Sequence, residues 1–328
     1  MYNAEGFIIN TLNSLKNQNF KDIEIIVVDD SSKYSSIKII KDYIKIDNRI
    51  KLLENNENKG TLFSKSRGIL NSKGKYIMIL DQDDMLVQMD ALSTLYECIE
   101  LYNLDFLGFS ELYLNSTNII HLNHESIKRM KRNILFSSPI IYQPDIQKLL
   151  FIYDKEGIPK RINGVLWNNI YKSKFLKKCI KQIKENFMNT RMNRHEDFLI
   201  FFLISRNAYN YKYIKRIFYI HIQWLPLNNS KIQFSLKEKQ KNYRNIECLS
   251  YLNYIEFLLK NTNNNIYDKR IAYVELNKYY LNHYCRFNIY NKERANRILI
   301  LFLNNIYIEN NAKKRIKKFL NYSILIKL

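Results

Sequence analysis

Three acidic clusters carry the residues best suited to chemistry in this 328-residue chain. Asp81 and Asp83 follow the apolar run Tyr76–Leu80, and their i, i+2 spacing turns both carboxylates to one side if extended geometry continues through them. Oxygen ligands of this kind suit Mg2+ or Mn2+, which usually take phosphate oxygens as well. The same residues equally suit a polar turn, with Asp84 or Asp90 capping the next helix. A second pair, Asp29 and Asp30, also closes an apolar run. Two such pairs on one sheet rim repel each other, and a bound cation relieves that repulsion, which favours a nucleotide-diphosphate site over two unrelated turns. The third cluster, Glu196 and Asp197, precedes the apolar run Phe198–Ile204. Carboxylates in a first helical turn are held ionised by the unpaired N–H groups, so they can take a proton from a hydroxyl nucleophile, or they can simply cap the helix.

Two further side chains are candidates with an ordinary alternative. Lys65 meets a phosphate as a point charge, or it is a solvated helix lysine. His221 is a metal ligand, or a histidine packed in an apolar strand. No Gly-x-Gly-x-x-Gly occurs, and the stretch from Gly68 to Lys75 has the wrong spacing for a phosphate-binding P-loop. Cys98, Cys179, Cys248 and Cys285 are far apart with no Cys-x-x-Cys, which points to reduced thiols of an intracellular protein without a zinc site. The net charge of +21 suits anionic partners. It coincides, however, with an abundance of Asn, Ile, Lys and Tyr that reads as coding bias, and no stacking-aromatic module appears, so nucleic acid is not an expected partner. The run Phe198–Ile204 is far short of the roughly 18 apolar residues of a membrane span, and no signal-peptide leader is expected.

An alternation of helix and strand must position these groups. Ile8, Leu12 and Leu15 mark an amphipathic helix over 5–17, and Ile23–Val28 reads as a strand apolar on both faces, as a covered parallel sheet requires. Ile37, Ile40 and Ile44 mark a second helix, followed by a strand near Ile50–Leu53, a helix over 61–71 and a strand at Tyr76–Leu80. Leu92, Leu95, Tyr96 and Ile99 give a fourth helix, and Asp105–Leu112 another strand. This order predicts an α/β fold with an open, mostly parallel, Rossmann-like sheet, helices on both faces and the site at the carboxyl ends of the strands. The pattern is less regular from 113 to 225, apart from a Trp167 segment and a helix from His195. It then turns Asn-, Lys- and Tyr-rich, with a helix at Arg297–Ile308 and a basic cluster at Lys313–Lys318.

In order and spacing, several segments resemble family 2 glycosyltransferases of the GT-A fold. They are Tyr2–Phe7, Asp29-Asp30-Ser31-Ser32, Asn58-Lys59-Gly60 with Gly68, and Gly74–Leu80 running into Asp81-Gln82-Asp83-Asp84. Leu166–Tyr171 and Glu196-Asp197 resemble the later motifs of bacterial-type members. The resemblance implies an enzyme that moves a sugar from a nucleotide-diphospho-sugar to an acceptor hydroxyl with inversion. Asp30, beside Asp29, would contact the base. Asp83 would hold the Mg2+ or Mn2+ that bridges the diphosphate, with Asp81 counted beside it and facing the ribose or sugar. Asp197 would be the catalytic base, with Glu196 assisting. His221 remains a candidate third ligand, and Lys65 stands where members commonly carry Arg.

The resemblance also divides the chain into a nucleotide-sugar-binding half over 1–112, an acceptor-side half over 113–230 and a helical, basic C-terminal extension over 231–328. The acceptor would be a glycan or lipid-linked glycan of a surface polymer, with the protein cytoplasmic and peripheral at the inner face of the membrane through its basic C-terminal helices. Beside Lys65, two further departures stand out. Ser31 occupies a position where Gly or another small residue is frequent. Members also carry a strand ending in Pro-x-Tyr-Asn before the first helix, of which Tyr2 and Asn3 are what this chain retains. A missing central strand would leave its neighbours' ladder groups unpaired, so the chain as written is expected to be poorly stable and nearly inactive. The competing expectations are a degenerate member serving as a binding or assembly module, and a nucleotidyltransferase. The intact Asp81, Asp83 and Asp197 speak against the first, and the lack of a Gly-rich basic loop near the first strand against the second.

Overall fold

A computed structural model of the chain describes residues 1–115, 138–153, 159–162, 165–223, 249–262, 268 and 271–272. They fall in two compact units, Met1–Leu236 and Lys237–Leu328.

The first unit opens with α1 (Ile8–Lys16), whose Ile8, Thr11 and Leu12 are buried at helical spacing. Strand β1 (Ile25–Asp29) runs parallel to β2 (Ile50–Glu54), joined through α2 (Tyr34–Ile46), with Ile25 opposite Ile50 and Asp29 opposite Glu54. Ile8, Leu12, Ile25, Val27, Ile40 and Ile50 close one core around this pair, each large aliphatic contributing about 1.5–3 kcal/mol by its burial. On the edge of β1 away from β2, the Met1 amine donates to Val28 O at 2.7 Å and Asp30 N donates to Met1 O at 2.8 Å.

Next come α3 (Thr61–Asn71), β3 (Tyr76–Met78), β4 (Met85–Leu86), α4 (Ala91–Leu101) and β5 (Phe106–Asn115). The later part contributes β6 (Ile141–Tyr142), α5 (Asp145–Leu150), β7 (Phe151–Tyr153), β8 (Pro159–Ile162) and β9 (Asn169–Lys172). It ends with α6 (Ser173–Ile180), α7 (Glu185–Met188), α8 (Glu196–Asn207) and β10 (Asn210–Gln223). The main sheet has the order β3-β9-β5-β10-β4, with β6 also on β10, while β7 and β8 pair separately.

This corrects the expectation of a mostly parallel sheet. Only β1–β2 and β5–β10 are parallel pairs among the described strands, and β9 runs antiparallel to both β3 and β5. The cause is an insertion. β3 and β5 each pair with β9, a four-residue strand from the irregular part of the sequence. Gly108 permits the close packing there, since a Cβ would lie 2.6 Å from the Tyr211 hydroxyl and 3.0 Å from Asn169 Oδ1.

Helix α8 buries every side chain from Leu199 to Ser205, as a helix apolar all round must. It rests on an aromatic group in which Phe106 stacks on Tyr211 and meets Phe201 edge-on. A buried, rigid helix of this kind holds its first turn, Glu196 and Asp197, in a fixed place. Cys98 and Cys179 are free thiols, whereas Cys248 and Cys285 lie outside the described residues. In the second unit a helix over 249–261 buries Tyr251, Leu252, Ile255 and Leu258. The expected helix at Arg297–Ile308 and the basic cluster at Lys313–Lys318 lie outside the described residues. Among the described residues no helix is long and apolar enough to cross a membrane.

Candidate functional site

Asp29 ends β1 and Asp30 follows it, and both are buried. Asp29 Oδ2 accepts from Ser32 N at 3.0 Å, while its Oδ1 is buried with no hydrogen-bond partner. Ser31, between the pair and α2, has φ 65, the left-handed region that favours glycine, which gives a physical reason for the Gly frequent at this position in the family it resembles. Asp30 accepts from Asn55 Nδ2 and Lys59 N, both at 2.8 Å, and from Gly60 N at 2.9 Å. It therefore fastens the Asn58-Lys59-Gly60 turn to the end of β1. Gly60 itself adopts φ 90, ψ 168. The same turn is joined to the segment before α8, since Leu62 N donates to Met192 O at 3.1 Å and Thr61 N to Asn193 Oδ1 at 3.3 Å.

Lys65, on α3, is not a solvated helix lysine. Its side chain is 12% exposed, and Nζ lies 2.8 Å from Asp197 Oδ1, 3.0 Å from Glu196 Oε1 and 3.3 Å from Asp81 Oδ1. Burial opposes its charge, but Asp197, Asp81 and Glu196 together hold its pKa well above that of an ordinary lysine. Asp197 is pushed up to about 7. Burial is the main cause, the Lys65 charge opposes it, and Glu196 and Asp81 add to it. The capping alternative for Glu196 and Asp197 fails on geometry. His195 holds the N-cap position of α8 in a left-handed conformation without a side-chain cap, and both carboxylates turn to Lys65. Asp90 likewise occupies the N-cap position of α4 without capping it, and its carboxylate pairs with Arg216 at 2.7 Å.

The last part of the acidic run forms a second group. Asp84 is fully buried, and its Oδ2 accepts from the Tyr219 hydroxyl at 2.6 Å and contacts His221 Nδ1 at 2.9 Å, while Oδ1 accepts from Ile222 N at 2.9 Å. The His221 ring lies flat on Trp167 at 5.0 Å, and Trp167 in turn stacks on Tyr219 at 4.8 Å. The Asp84 hydrogen bond raises the His221 pKa, and its contact at Nδ1 leaves Nε2 as the nitrogen a ligand would meet. Asp83 is pushed up to about 6 by burial, with the Asp84 and Asp81 charges adding to it.

The structure thus brings Asp81, Lys65, Glu196 and Asp197 together in one network and sets Asp83, Asp84 and His221 beside it through the 81–84 turn. Asp29 and Asp30 lie at the end of β1, where the buried Met1 amine is within electrostatic reach of them and of Asp81 and Lys65. Sequence reasoning missed Asp84 as the acceptor that fixes Tyr219 and His221. The i, i+2 spacing of those two on a strand, with a third acid directly after Asp83, was the available signal. Asn193 gave no signal of its own.

Among the described residues no group of three or more His, Cys, Asp or Glu side chains is arranged to hold a metal ion. The rim fits instead a hard cation that takes one or two protein ligands and draws the rest from phosphate and water. Repulsion of Asp83 by Asp81 and Asp84 is the strain such an ion would relieve.

Comparisons with known proteins fall on this architecture. The model of glycosyl transferase family 2 matches residues 1–153. The Escherichia coli UDP-Glc:alpha-D-GlcNAc-diphosphoundecaprenol beta-1,3-glucosyltransferase WfaP is 30% identical over 203 residues, covering 59% of this chain and 74% of that protein. The Streptococcus pneumoniae glycosyltransferase GlyA is 37% identical over 105 residues, 32% of this chain, and the chain spans 15% of its length. Staphylococcus aureus TarS, solved with UDP-GlcNAc, shares the fold at a TM-score of 0.59 and 17% identity, covering 92% of this chain and 78% of that one. The Pyrobaculum calidifontis mannosyltransferase PcManGT, solved with GDP-Man and Mn2+, shares it at 0.52 and 11% identity, covering 99% and 78%.

Proposed function

The chain belongs to glycosyl transferase family 2, and from that premise we propose that it transfers a sugar from a nucleotide-diphospho-sugar to an acceptor hydroxyl in a single inverting displacement. The observation that carries this reading is the meeting of a donor-side carboxylate, Asp81, with Glu196 and Asp197 of α8 around one buried ammonium. Asp197 takes the proton of the attacking hydroxyl, and Glu196 assists from the same helical turn. Asp29 and Asp30 form the end of the rim that receives the nucleoside, Asp30 by holding the Asn58–Gly60 turn. Asp83 and His221 Nε2 are the ligands we assign to Mn2+ or Mg2+, with Asp81 facing the ribose or sugar and Asp84 orienting the imidazole. When bound, the ion offsets the charge that develops on the departing nucleoside diphosphate.

The WfaP relative, a UDP-Glc-dependent enzyme acting on a diphosphoundecaprenol-linked GlcNAc, supports a UDP-sugar donor, a lipid-linked glycan acceptor and a role in surface glycan assembly. A panel of UDP- and GDP-sugars, with Mn2+ or Mg2+ and a short-chain lipid-diphosphate GlcNAc acceptor, tests the proposal by nucleoside diphosphate release. Release should need the metal and should fall at least a hundredfold in Asp83→Ala and in Asp197→Asn. Release unchanged in Asp83→Ala, or absent with every donor, would refute the assignment.

A further inference from the structure

We infer that Lys65 is a positioning residue that holds the catalytic carboxylate in place, and does not grip the donor phosphates. The inference rests on Asp197 being the base, as proposed above. An ammonium has three protons and no acceptor. Lys65 has three carboxylates within reach, Asp197 at 2.8 Å, Glu196 at 3.0 Å and Asp81 at 3.3 Å. Two of its protons are donated to Asp197 and Glu196, and Asp81 adds an ion pair at 3.3 Å, so the ammonium is turned to protein carboxylates rather than to a phosphate.

Placement supports the same role. Lys65 projects from α3 onto the first turn of α8, whose buried body holds that turn rigid. Besides Lys65, the Asp197 carboxylate is met by Leu166 N, 3.5 Å from Oδ2, a distance at the limit of a hydrogen bond. Lys65 is therefore the firm anchor of Asp197, and it bears on Oδ1. Three carboxylates against one ammonium leave the network with two uncompensated negative charges when all are ionised. Removing Lys65 would set Asp81, Glu196 and Asp197 against one another and turn the base from its position. Because Asp81 follows β3 on the donor side while Glu196 and Asp197 belong to α8, the same ammonium also ties the donor side of the rim to the base.

The two roles separate in kinetics. A phosphate grip would show in donor affinity, and a positioning role in turnover. UDP binding in the presence of Mn2+ is measured by calorimetry, and turnover by nucleotide release from the best donor of the panel. In Lys65→Met the expected result is a kcat lowered at least tenfold with UDP affinity within threefold of the parent, and in Lys65→Arg a recovery to within about threefold of the parent kcat. UDP affinity weakened tenfold or more with kcat retained would overturn the inference, as would an Arg variant as slow as the Met variant. If Lys65→Met does not fold, the same substitution in the Glu196→Gln background removes one repelling charge and is compared with Glu196→Gln alone, with the same outcomes. Asp197→Asn is run alongside. Full activity there would defeat the assignment of the base itself, whereas an inactive Asp197→Asn beside a Lys65→Met of unchanged kcat would defeat only the role given to Lys65.

Discussion

Replacing Gly60 with Ala tests how tightly the Asn58–Gly60 turn is joined to the approach to α8. At φ 90, ψ 168 the residue lies in a backbone region almost confined to glycine, where another residue costs about 1–3 kcal/mol. The added Cβ would also lie 2.9 Å from Asn193 Oδ1 and 3.0 Å from both the Arg191 carbonyl carbon and Met192 N. Two of those three neighbours are backbone and cannot swing aside, so overpacking adds about 1–3 kcal/mol more. The sum centres on about 4 kcal/mol. For a unit of this size that lowers the melting temperature by about 8–16 °C. Urea unfolding followed by circular dichroism measures it, with Gly6→Ala as the control, since a Cβ there meets nothing within 4 Å and should change stability by no more than about 0.5 kcal/mol. UDP binding should weaken too, because Gly60 N and Lys59 N both hold Asp30. A Gly60→Ala protein as stable as the Gly6→Ala control would refute the reasoning.

Two further outcomes are expected. With the Asp197 carboxyl at about 7, the base we propose is protonated below neutrality, so kcat should fall roughly tenfold per pH unit below pH 7. A kcat that stays level from pH 5.5 to 8 would exclude it as the titrating base. The same shift has a stability sign. Between about pH 4 and 7 the folded chain binds a proton at Asp197 that the unfolded chain has released, so stability falls as pH rises through that window. Asp83, pushed up to about 6, adds a slope of the same sign between about pH 4 and 6, so Asp197→Asn should reduce the slope and leave the Asp83 part, as read from urea midpoints measured across the window. Finally, Asp84→Ala leaves the Tyr219 hydroxyl, His221 Nδ1 and Ile222 N without their acceptor inside the fold, at a cost of about 3–5 kcal/mol by denaturant unfolding. A loss below about 1 kcal/mol would show that the network does not hold that end of β10.

Much of the first half was legible because its elements carry strong periods. Ile8, Leu12 and Leu15 marked α1, which the structure places at Ile8–Lys16, and the helix expected over 61–71 is Thr61–Asn71. The β-branched run before Asp29 is β1. The sheet's mixed character was not legible, because β9 is four residues long and its partners lie far away in sequence, so no local pattern announces it. The site divides in the same way. Acidic pairs at strand ends stand out from their spacing alone, whereas the partners of a carboxylate are a matter of tertiary packing. Lys65 looked like any helix lysine until α8 was placed against α3, and Asp84 looked like a cap until β10 brought Tyr219 and His221 to it.

The interposed strand β9 also constrains how the chain can be made. Tyr76 pairs with Lys172 and Phe106 with Tyr171, so the strands of the first 112 residues lack these ladder partners until the later segment arrives. During synthesis the two strands must wait, exposed, for a stretch that leaves the ribosome well after them. Such distant pairing slows folding and leaves sticky edges open meanwhile. A fragment cut after Leu112 would lack β9 and β10, and with them the partners that β3 and β5 have in the whole unit.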